Sequence, residues 1–194
     1  DGDRPMLICQ LTDLHVRPVG QAANRVSETN ALTLRAFRAV AALDPAPDVV
    51  LITGDLTECG LAAEYANLAA MLRQTLRMPV YVVPGNHDRR EVLRAELAHL
   101  PGVSEDPDYV QYAVSCGPVR LVMLDTVVPG AGHGALRPDQ LDWLDRTLAA
   151  APDRPTLIGM HHPPFTCGIA HMDRIALREP ARFGPWIAMI ARRN

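Results

Sequence analysis

The chain has 194 residues, of which 48% are apolar and 21% charged, and its formal charge is −3. That length holds one domain of ordinary size with a sizeable core, and the composition excludes disorder, collagen and coiled coil. All 19 cationic side chains are Arg, spread without a basic run. This speaks against nucleic acid as a partner, and the absence of Lys excludes a Walker-type phosphate loop, a Schiff-base enzyme and a Ser-Lys nucleophile pair. The four cysteines, Cys9, Cys59, Cys116 and Cys167, form no CxxC pair, so they read as reduced, buried, small hydrophobes rather than thiolate zinc ligands. No apolar run is long enough to span a bilayer and no signal-peptide layout opens the chain, so the expected location is cytoplasmic, with no membrane partner.

Short apolar runs alternate with amphipathic stretches, the rhythm of an α/β fold. Met6 to Leu11 reads as a buried strand that ends at Thr12-Asp13-Leu14-His15. Leu32, Ala36, Ala39, Val40 and Leu43 then recur at helical spacing and predict one apolar stripe packed on the sheet. Val49 to Ile52 is a second strand, ending at Thr53-Gly54-Asp55, and Tyr65, Leu68, Ala69, Leu72 and Leu76 form a second helical stripe. Val80 to Val83 is a third strand, running into Pro84-Gly85-Asn86-His87-Asp88. Tyr109 to Ser115 and Val119 to Leu124 read as neighbouring strands of a second sheet. Pro138 opens a helix through Leu141, Leu144 and Leu148, at the first-turn position proline prefers. Thr156 to Met160 is the last clear strand and ends at His161-His162-Pro163-Pro164. With no internal repeat or linker, residues 1–194 are expected to form a single domain.

Four strand ends therefore deliver polar side chains, and open α/β sheets bind ligands at the carboxyl ends of their strands. Asp13 and His15 are two apart, so a strictly extended backbone would place both on one face, able to grip one ion. Gly54 and Gly85 allow sharp turns just before Asp55 and Asn86. A single Asp at a strand end is commonly a turn or helix cap, and Asn86 and Asp88 could be ordinary turn formers. Four such coincidences at four strand ends make a poor account. Carboxylate, carboxamide and imidazole together suit Mn, Fe, Zn or Co.

Asp13-x-His15, Gly54-Asp55-Leu56-Thr57, Gly85-Asn86-His87-Asp88 and His161-His162-Pro163-Pro164 resemble, in order and spacing, the calcineurin-like metallophosphoesterase superfamily. Gly54 to Gly60, the Glu64-Tyr65 pair and the stretch His161 to Ile175 with Met172-Asp173 are most similar to bacterial class III cyclic nucleotide phosphodiesterases and glycerophosphodiesterases. The resemblance implies a four-layer α/β/β/α sandwich of two mixed sheets flanked by helices, holding two divalent metal ions. It implies that Asp13 and His15 bind the first ion, that Asp55 bridges both, and that Asn86 and His161 bind the second. His87 is then a catalytic group near the phosphate rather than a ligand, with Asp88 beside it as a candidate to orient it, and His15, Asn86 and His87 contact the substrate.

The implied activity is hydrolysis of a small phosphodiester, a 3′,5′-cyclic nucleotide or a glycerophosphodiester, by attack of metal-bound hydroxide on phosphorus. A phosphomonoesterase or nucleotidase, or a weakly active scaffold that keeps the fold, are the alternatives, and the family resemblance allows a homodimer or higher homo-oligomer. The sequence departs from the family pattern in having no Gly-His-x-His motif. It stops after the apolar segment Ala188 to Ala191. A fragment, a natural loss or ligands from a neighbouring chain would each account for that. The loops Val16 to Ser27 and Phe165 to Asp173 are expected to border the pocket.

Overall fold

A computed structural model describes residues 5–23 and 26–179. The apolar segment near residue 188 lies outside the described residues, as do two residues of the 16–27 loop. Among the described residues six strands and five helices follow in order: β1 (Ile8–Leu11), α1 (Thr29–Ala41), β2 (Val49–Thr53), α2 (Ala62–Thr75), β3 (Val80–Val83), α3 (Arg90–Leu97), β4 (Tyr112–Cys116), β5 (Val119–Met123), α4 (Pro138–Ala149), β6 (Thr156–Gly159) and α5 (Ala170–Arg174).

The strands form two sheets, ordered β1-β2-β3 and β4-β5-β6, and helix residues such as Phe37, Leu68 and Leu144 share their buried cores. In the first, the fully apolar runs are buried because βα connections cover a parallel sheet, and every residue of β2 is buried. Among the described residues this sheet is parallel throughout, where two mixed sheets were expected; the second is mixed, with β4 antiparallel and β6 parallel to β5. The register pairs Leu11 with Ile52 and Thr53 with Val83. The loops after β1, β2 and β3 consequently leave along one edge. The two sheets are joined where the Tyr112 hydroxyl donates to the Val82 carbonyl at 2.8 Å and accepts from its N–H at 2.9 Å. That satisfies backbone groups of β3, which lies at the edge of its sheet.

The predicted stripes of α2 and α4 are buried: Tyr65, Leu68, Ala69, Leu72 and Leu76 on one, Leu141, Leu144 and Leu148 on the other. The stripe predicted for α1 is rotated. Leu32 and Leu43 are exposed, and the buried residues are Thr33, Phe37 and Val40. The Thr33 hydroxyl faces the Leu14 carbonyl, so α1 turns a polar group inward to meet the loop after β1. The cysteines are all free, but only Cys116 is buried; Cys9 is half-buried, and Cys59 and Cys167 are exposed. Cys167 is not packing material either, since its N–H and thiol both face Asp173.

Candidate metal centre

Asp13 and His15 are not extended. Their φ angles are +54° and +46°, and that of Asp55 is +47°. This left-handed region is sparsely used by residues with a Cβ, and three instances in one site signal backbone held against its preference. A backbone zipper holds them. Asp13 donates its N–H to the Gly54 carbonyl at 3.1 Å, His15 to the Asp55 carbonyl at 3.0 Å and Val16 to the Leu56 carbonyl at 3.1 Å. The loop after β1 thereby lies along the loop after β2, with the two side chains turned toward Asp55 by loop pairing rather than by strand alternation.

Asp55 is 4% exposed and sits at the middle of the cluster. Its Oδ2 lies 3.7 Å from His15 Nε2, which is 3.9 Å from Asp13 Oδ1. Its Oδ1 lies 3.6 Å from His161 Nε2, which is 3.3 Å from the Asn86 carboxamide oxygen. Oδ1 also accepts the His87 N–H at 2.9 Å. The structure thus brings together all five sequence-predicted ligands, from four strand-end loops, with the two carboxylate oxygens of Asp55 facing opposite ways.

Two glycines make this packing possible. A Cβ at Gly54, whose φ is +99°, would lie 2.4 Å from His161 Nδ1, and one at Gly85 would lie 2.2 Å from Asp55 Oδ1.

The residues fit divalent ions. Nitrogen and oxygen donors each about 2.0–2.2 Å from one tetrahedral ion are about 3.4 Å apart, and the spacings around Asp55 run from 3.3 to 3.9 Å. His161 Nδ1 is 2.9 Å from the Thr53 carbonyl, which makes that nitrogen the donor and leaves Nε2 able to ligate. Donor atoms of Asp13, Asp55 and His161 all lie within 4.8 Å of one another, and so do those of His15, Asp55 and His87. The grouping does not separate Asp13 and His15 from the rest as cleanly as the motifs suggest, and it places a ring nitrogen of His87 within 4.8 Å of the Asp55 carboxylate.

His87 is half-buried, and its ring meets that of His15 edge to face at 4.7 Å between centroids. Burial pulls its pKa down. The Glu58 carbonyl, 2.7 Å from its Nδ1, and the carboxylates of Asp55, Glu58 and Asp88 outweigh that pull and raise it. Asp88 does not orient the ring through a bond of its own. Its buried carboxylate instead accepts from Leu56 N, Thr57 N, Thr57 Oγ1, Tyr65 OH and Gly85 N, at 2.8–3.1 Å. It therefore ties the loop carrying Asp55 to the loop carrying Asn86 and His87. Glu64 does similar work one turn away, accepting from Cys59 N, Leu61 N and the Arg17 guanidinium. The Glu64-Tyr65 pair is thus a loop-holding device.

His162 is 2% exposed and turns away from the cluster, with Nδ1 2.7 Å from the Thr126 hydroxyl and Gly134 packed on its ring.

A cleft of about 640 Å³ opens beside Asn86 and His87, with Glu58, Cys59, Arg89 and Arg90 on one wall and Val127 and Pro129 to Gly132 on the other. Arg90 pairs with both carboxylate oxygens of Asp125 and reaches the Val127 carbonyl, fastening that second wall. Sequence reasoning missed the 127–132 wall. Of the loops it named, Ala23 and Ser27 border a smaller hollow with His15, and Phe165 lines another beside His161. The Arg in Asn86-His87-Asp88-Arg89-Arg90 and the acid at Asp125 after an apolar run were the available signals.

The model of the calcineurin-like phosphoesterase family matches residues 6–186. The chain belongs to that family. Among curated members it is 33% identical over 178 residues to the glycerophosphodiester phosphodiesterase GpdQ of Enterobacter lignolyticus, covering 91% of this chain and 64% of that protein. It is also 33% identical over 178 residues to the 3′,5′-cyclic adenosine monophosphate phosphodiesterase CpdA of Pseudomonas aeruginosa, covering 92% and 62%. The 3′,5′-cyclic-nucleotide phosphodiesterase alr5338 of a Nostoc species is 33% identical over 176 residues, covering 90% and 63%. The chain therefore spans just under two thirds of the length of these relatives. Among solved structures, a purple acid phosphatase from yellow lupin seeds shares the fold, with a TM-score of 0.56 at 16% identity over 82% of this chain and 31% of that one. No helix among the described residues is long and apolar enough to cross a membrane.

Proposed function

We propose that this calcineurin-like phosphoesterase is a metal-dependent phosphodiesterase acting on a small phosphodiester, a 3′,5′-cyclic nucleotide or a glycerophosphodiester, with residues 1–194 forming one domain. The observation that carries the reading is the convergence of Asp13, His15, Asn86 and His161 on the two oxygens of buried Asp55, beside a cleft that His87 lines. Two divalent ions held there, from among Mn, Fe, Zn and Co, supply positive charge for the phosphoryl oxygens and a water acidic enough to react at neutral pH.

The chain's own residues do the rest. Asp55 would serve both ions, Asp13 and His15 would hold one, and Asn86 and His161 would hold the other. His15, Asn86 and His87 border the phosphoryl group. With Nδ1 bound to the Glu58 carbonyl, His87 presents Nε2 as the atom that carries a proton to the departing alkoxide oxygen or donates to a phosphoryl oxygen. Its raised pKa keeps more of the ring protonated near neutral pH. Relatives named for both glycerophosphodiesters and cyclic nucleotides support the diester class.

Metal analysis with hydrolysis of bis(p-nitrophenyl) phosphate and p-nitrophenyl phosphate tests this. Two metals per chain are expected, with faster turnover of the diester under Mn. Asp55→Asn should lower turnover by more than about 100-fold, since even outer partners of metal ligands are worth about 10–100-fold. Faster monoester turnover overturns the diesterase reading. No turnover of either ester with excess Mn overturns the enzyme reading in favour of a scaffold.

A further inference from the structure

Glu58 follows Asp55 by three residues and lines the cleft beside His87. Three of its groups each fasten a different part of the site. Its N–H donates to the Val16 carbonyl at 3.2 Å, and its carbonyl faces His87 Nδ1 at 2.7 Å. Its carboxylate Oε2 lies 2.8 Å from His15 Nδ1, with the side chain 16% exposed. That His15 nitrogen is itself buried and makes no aligned hydrogen bond among the described residues, so the Glu58 carboxylate is the group that faces it.

The chemistry of imidazole gives these contacts a consequence. Only one ring nitrogen of a neutral histidine carries a proton, and the partner of one nitrogen decides the state of the other. A carboxylate and a carbonyl can only accept: the Glu58 carbonyl makes His87 Nδ1 the donor, and the carboxylate 2.8 Å from His15 Nδ1 favours the proton on that nitrogen, which leaves each Nε2 lone pair free. For His15, Nε2 is the atom 3.7 Å from Asp55 and 3.9 Å from Asp13. For a free imidazole side chain in water the other tautomer, with Nε2 protonated, is the commoner one. Without Glu58, His15 would present a proton where the cluster needs a lone pair.

We propose that Glu58 is a positioning residue for both imidazoles and acts through two separable groups, its side chain on His15 and its main-chain carbonyl on His87. A single residue then sets the tautomer of a metal ligand and of the neighbouring proton-carrying ring. The inference rests on the reading of the Asp55 cluster as a metal centre, but its first test is made on metal-free protein, where no turnover is measured.

Long-range 1H–15N spectra of the histidine rings, recorded at rising pH until the ring shifts no longer change and the neutral form is read, test it in wild type, Glu58→Ala and Glu58→Gln. In wild type both His15 and His87 should carry their proton on Nδ1. In Glu58→Ala, His15 should move to a mixture dominated by Nε2–H, while His87 stays unchanged because the carbonyl remains. The Gln oxygen can accept, so Glu58→Gln should restore His15. By calorimetric Mn titration, Glu58→Ala should weaken one ion by about 10–100-fold, and Glu58→Gln should bind within about threefold of wild type.

An unchanged His15 in Glu58→Ala overturns the proposal. So does a joint change of both rings, which would mean general loosening, or a failure of Gln to restore His15. Glu58→Met, of similar length and without an acceptor, replaces the alanine variant if that one does not fold. Wild-type rings in the expected tautomers together with an absence of diester hydrolysis would leave Glu58's role standing and overturn the catalytic reading alone.

Discussion

Replacing Asp88 with Asn changes one atom and tests whether a buried carboxylate staples the ligand loops together. Its Oδ2 accepts two backbone N–H groups, from Leu56 and Gly85, at 2.9 Å each. Its Oδ1 accepts Thr57 N at 3.1 Å, Thr57 Oγ1 at 3.0 Å and Tyr65 OH at 2.8 Å. An Asn side chain can match only one of these faces. If its NH2 replaces Oδ2, it confronts two fixed donors. If it replaces Oδ1, the two hydroxyls can turn to accept, but Thr57 N–H is left facing another donor. The better choice strands one buried N–H, which costs about 1–3 kcal/mol, and converts charge-assisted bonds into neutral ones that are weaker by about 1 kcal/mol each. Burial raises the Asp88 pKa despite the bonds from Gly85, Leu56 and Tyr65, so removing the buried charge returns part of that loss. The expected net destabilisation is about 2–4 kcal/mol, a large fraction of the roughly 5–15 kcal/mol of a typical domain. Urea unfolding at constant pH, with an unchanged m-value, measures it. A difference below about 0.5 kcal/mol, the scale of an unremarkable surface change, would refute the staple.

Gly54→Ala should expel His161, because the new Cβ would stand 2.4 Å from Nδ1 at a φ of +99°; elemental analysis should find metal content at most half that of wild type, and full retention would refute the close-packing argument. His162 gives the metal-free protein an acid-side instability. Burial, helped by the neighbouring His161 and His133 and opposed by the Gly132 backbone, lowers its pKa from 6.5 to about 4. The unfolded chain therefore binds this proton first, and the contribution present above pH 6.5 is lost as pH falls toward 4, by about 3 kcal/mol in all. Urea melts across that range should show the slope and show it flattened in His162→Gln; equal slopes in the two proteins would assign the acid sensitivity elsewhere.

The strand ends were legible because a buried parallel sheet needs continuous apolar runs, and each run breaks where polar side chains and glycines begin. Val49 to Ile52 before Gly54-Asp55, and Val80 to Val83 before Gly85-Asn86, mark both the strand and the place where chemistry starts. Helix phase was less legible. In α1 Leu32 is exposed and Thr33 is buried, and Leu43 is exposed just past the helix end, because the Leu14 carbonyl offers Thr33 a partner that periodicity cannot see. The α3 helix, Arg-Glu-Val-Leu-Arg-Ala-Glu-Leu, buries only Leu93 and Leu97, too few apolar positions to stand out. The loop conformation of Asp13 and His15 was also hidden, since their left-handed backbone follows from pairing with residues 54–56 rather than from local preference. The roles of Glu58 and Asp88 were hidden for the same reason: a carboxylate beside a motif reads as a ligand or a turn former until its partners are seen.

These partners bear on how metal and fold are coupled. Each left-handed residue stores about 1–3 kcal/mol of backbone strain, and a structure in which only metal held those residues would be expected to fold with the ion, as small metallo-domains do. Here every ligand-bearing segment has protein partners of its own. Asp13 and His15 are zipped to the loop after β2, His87 donates to Asp55, His161 is fixed by the Thr53 carbonyl, and Asp88 binds two loops from five directions. The strain is opposed by hydrogen bonds between protein groups, so the donor spacing around Asp55 rests on the protein's own bonds and not on an ion alone. Ion binding to such a site loses little free energy to ordering loops, and its affinity depends on the supporting residues that aim the donors. Changes at Glu58 and Asp88 should therefore reach the centre by different routes: the first through one imidazole with the fold intact, the second through the stability of two loops.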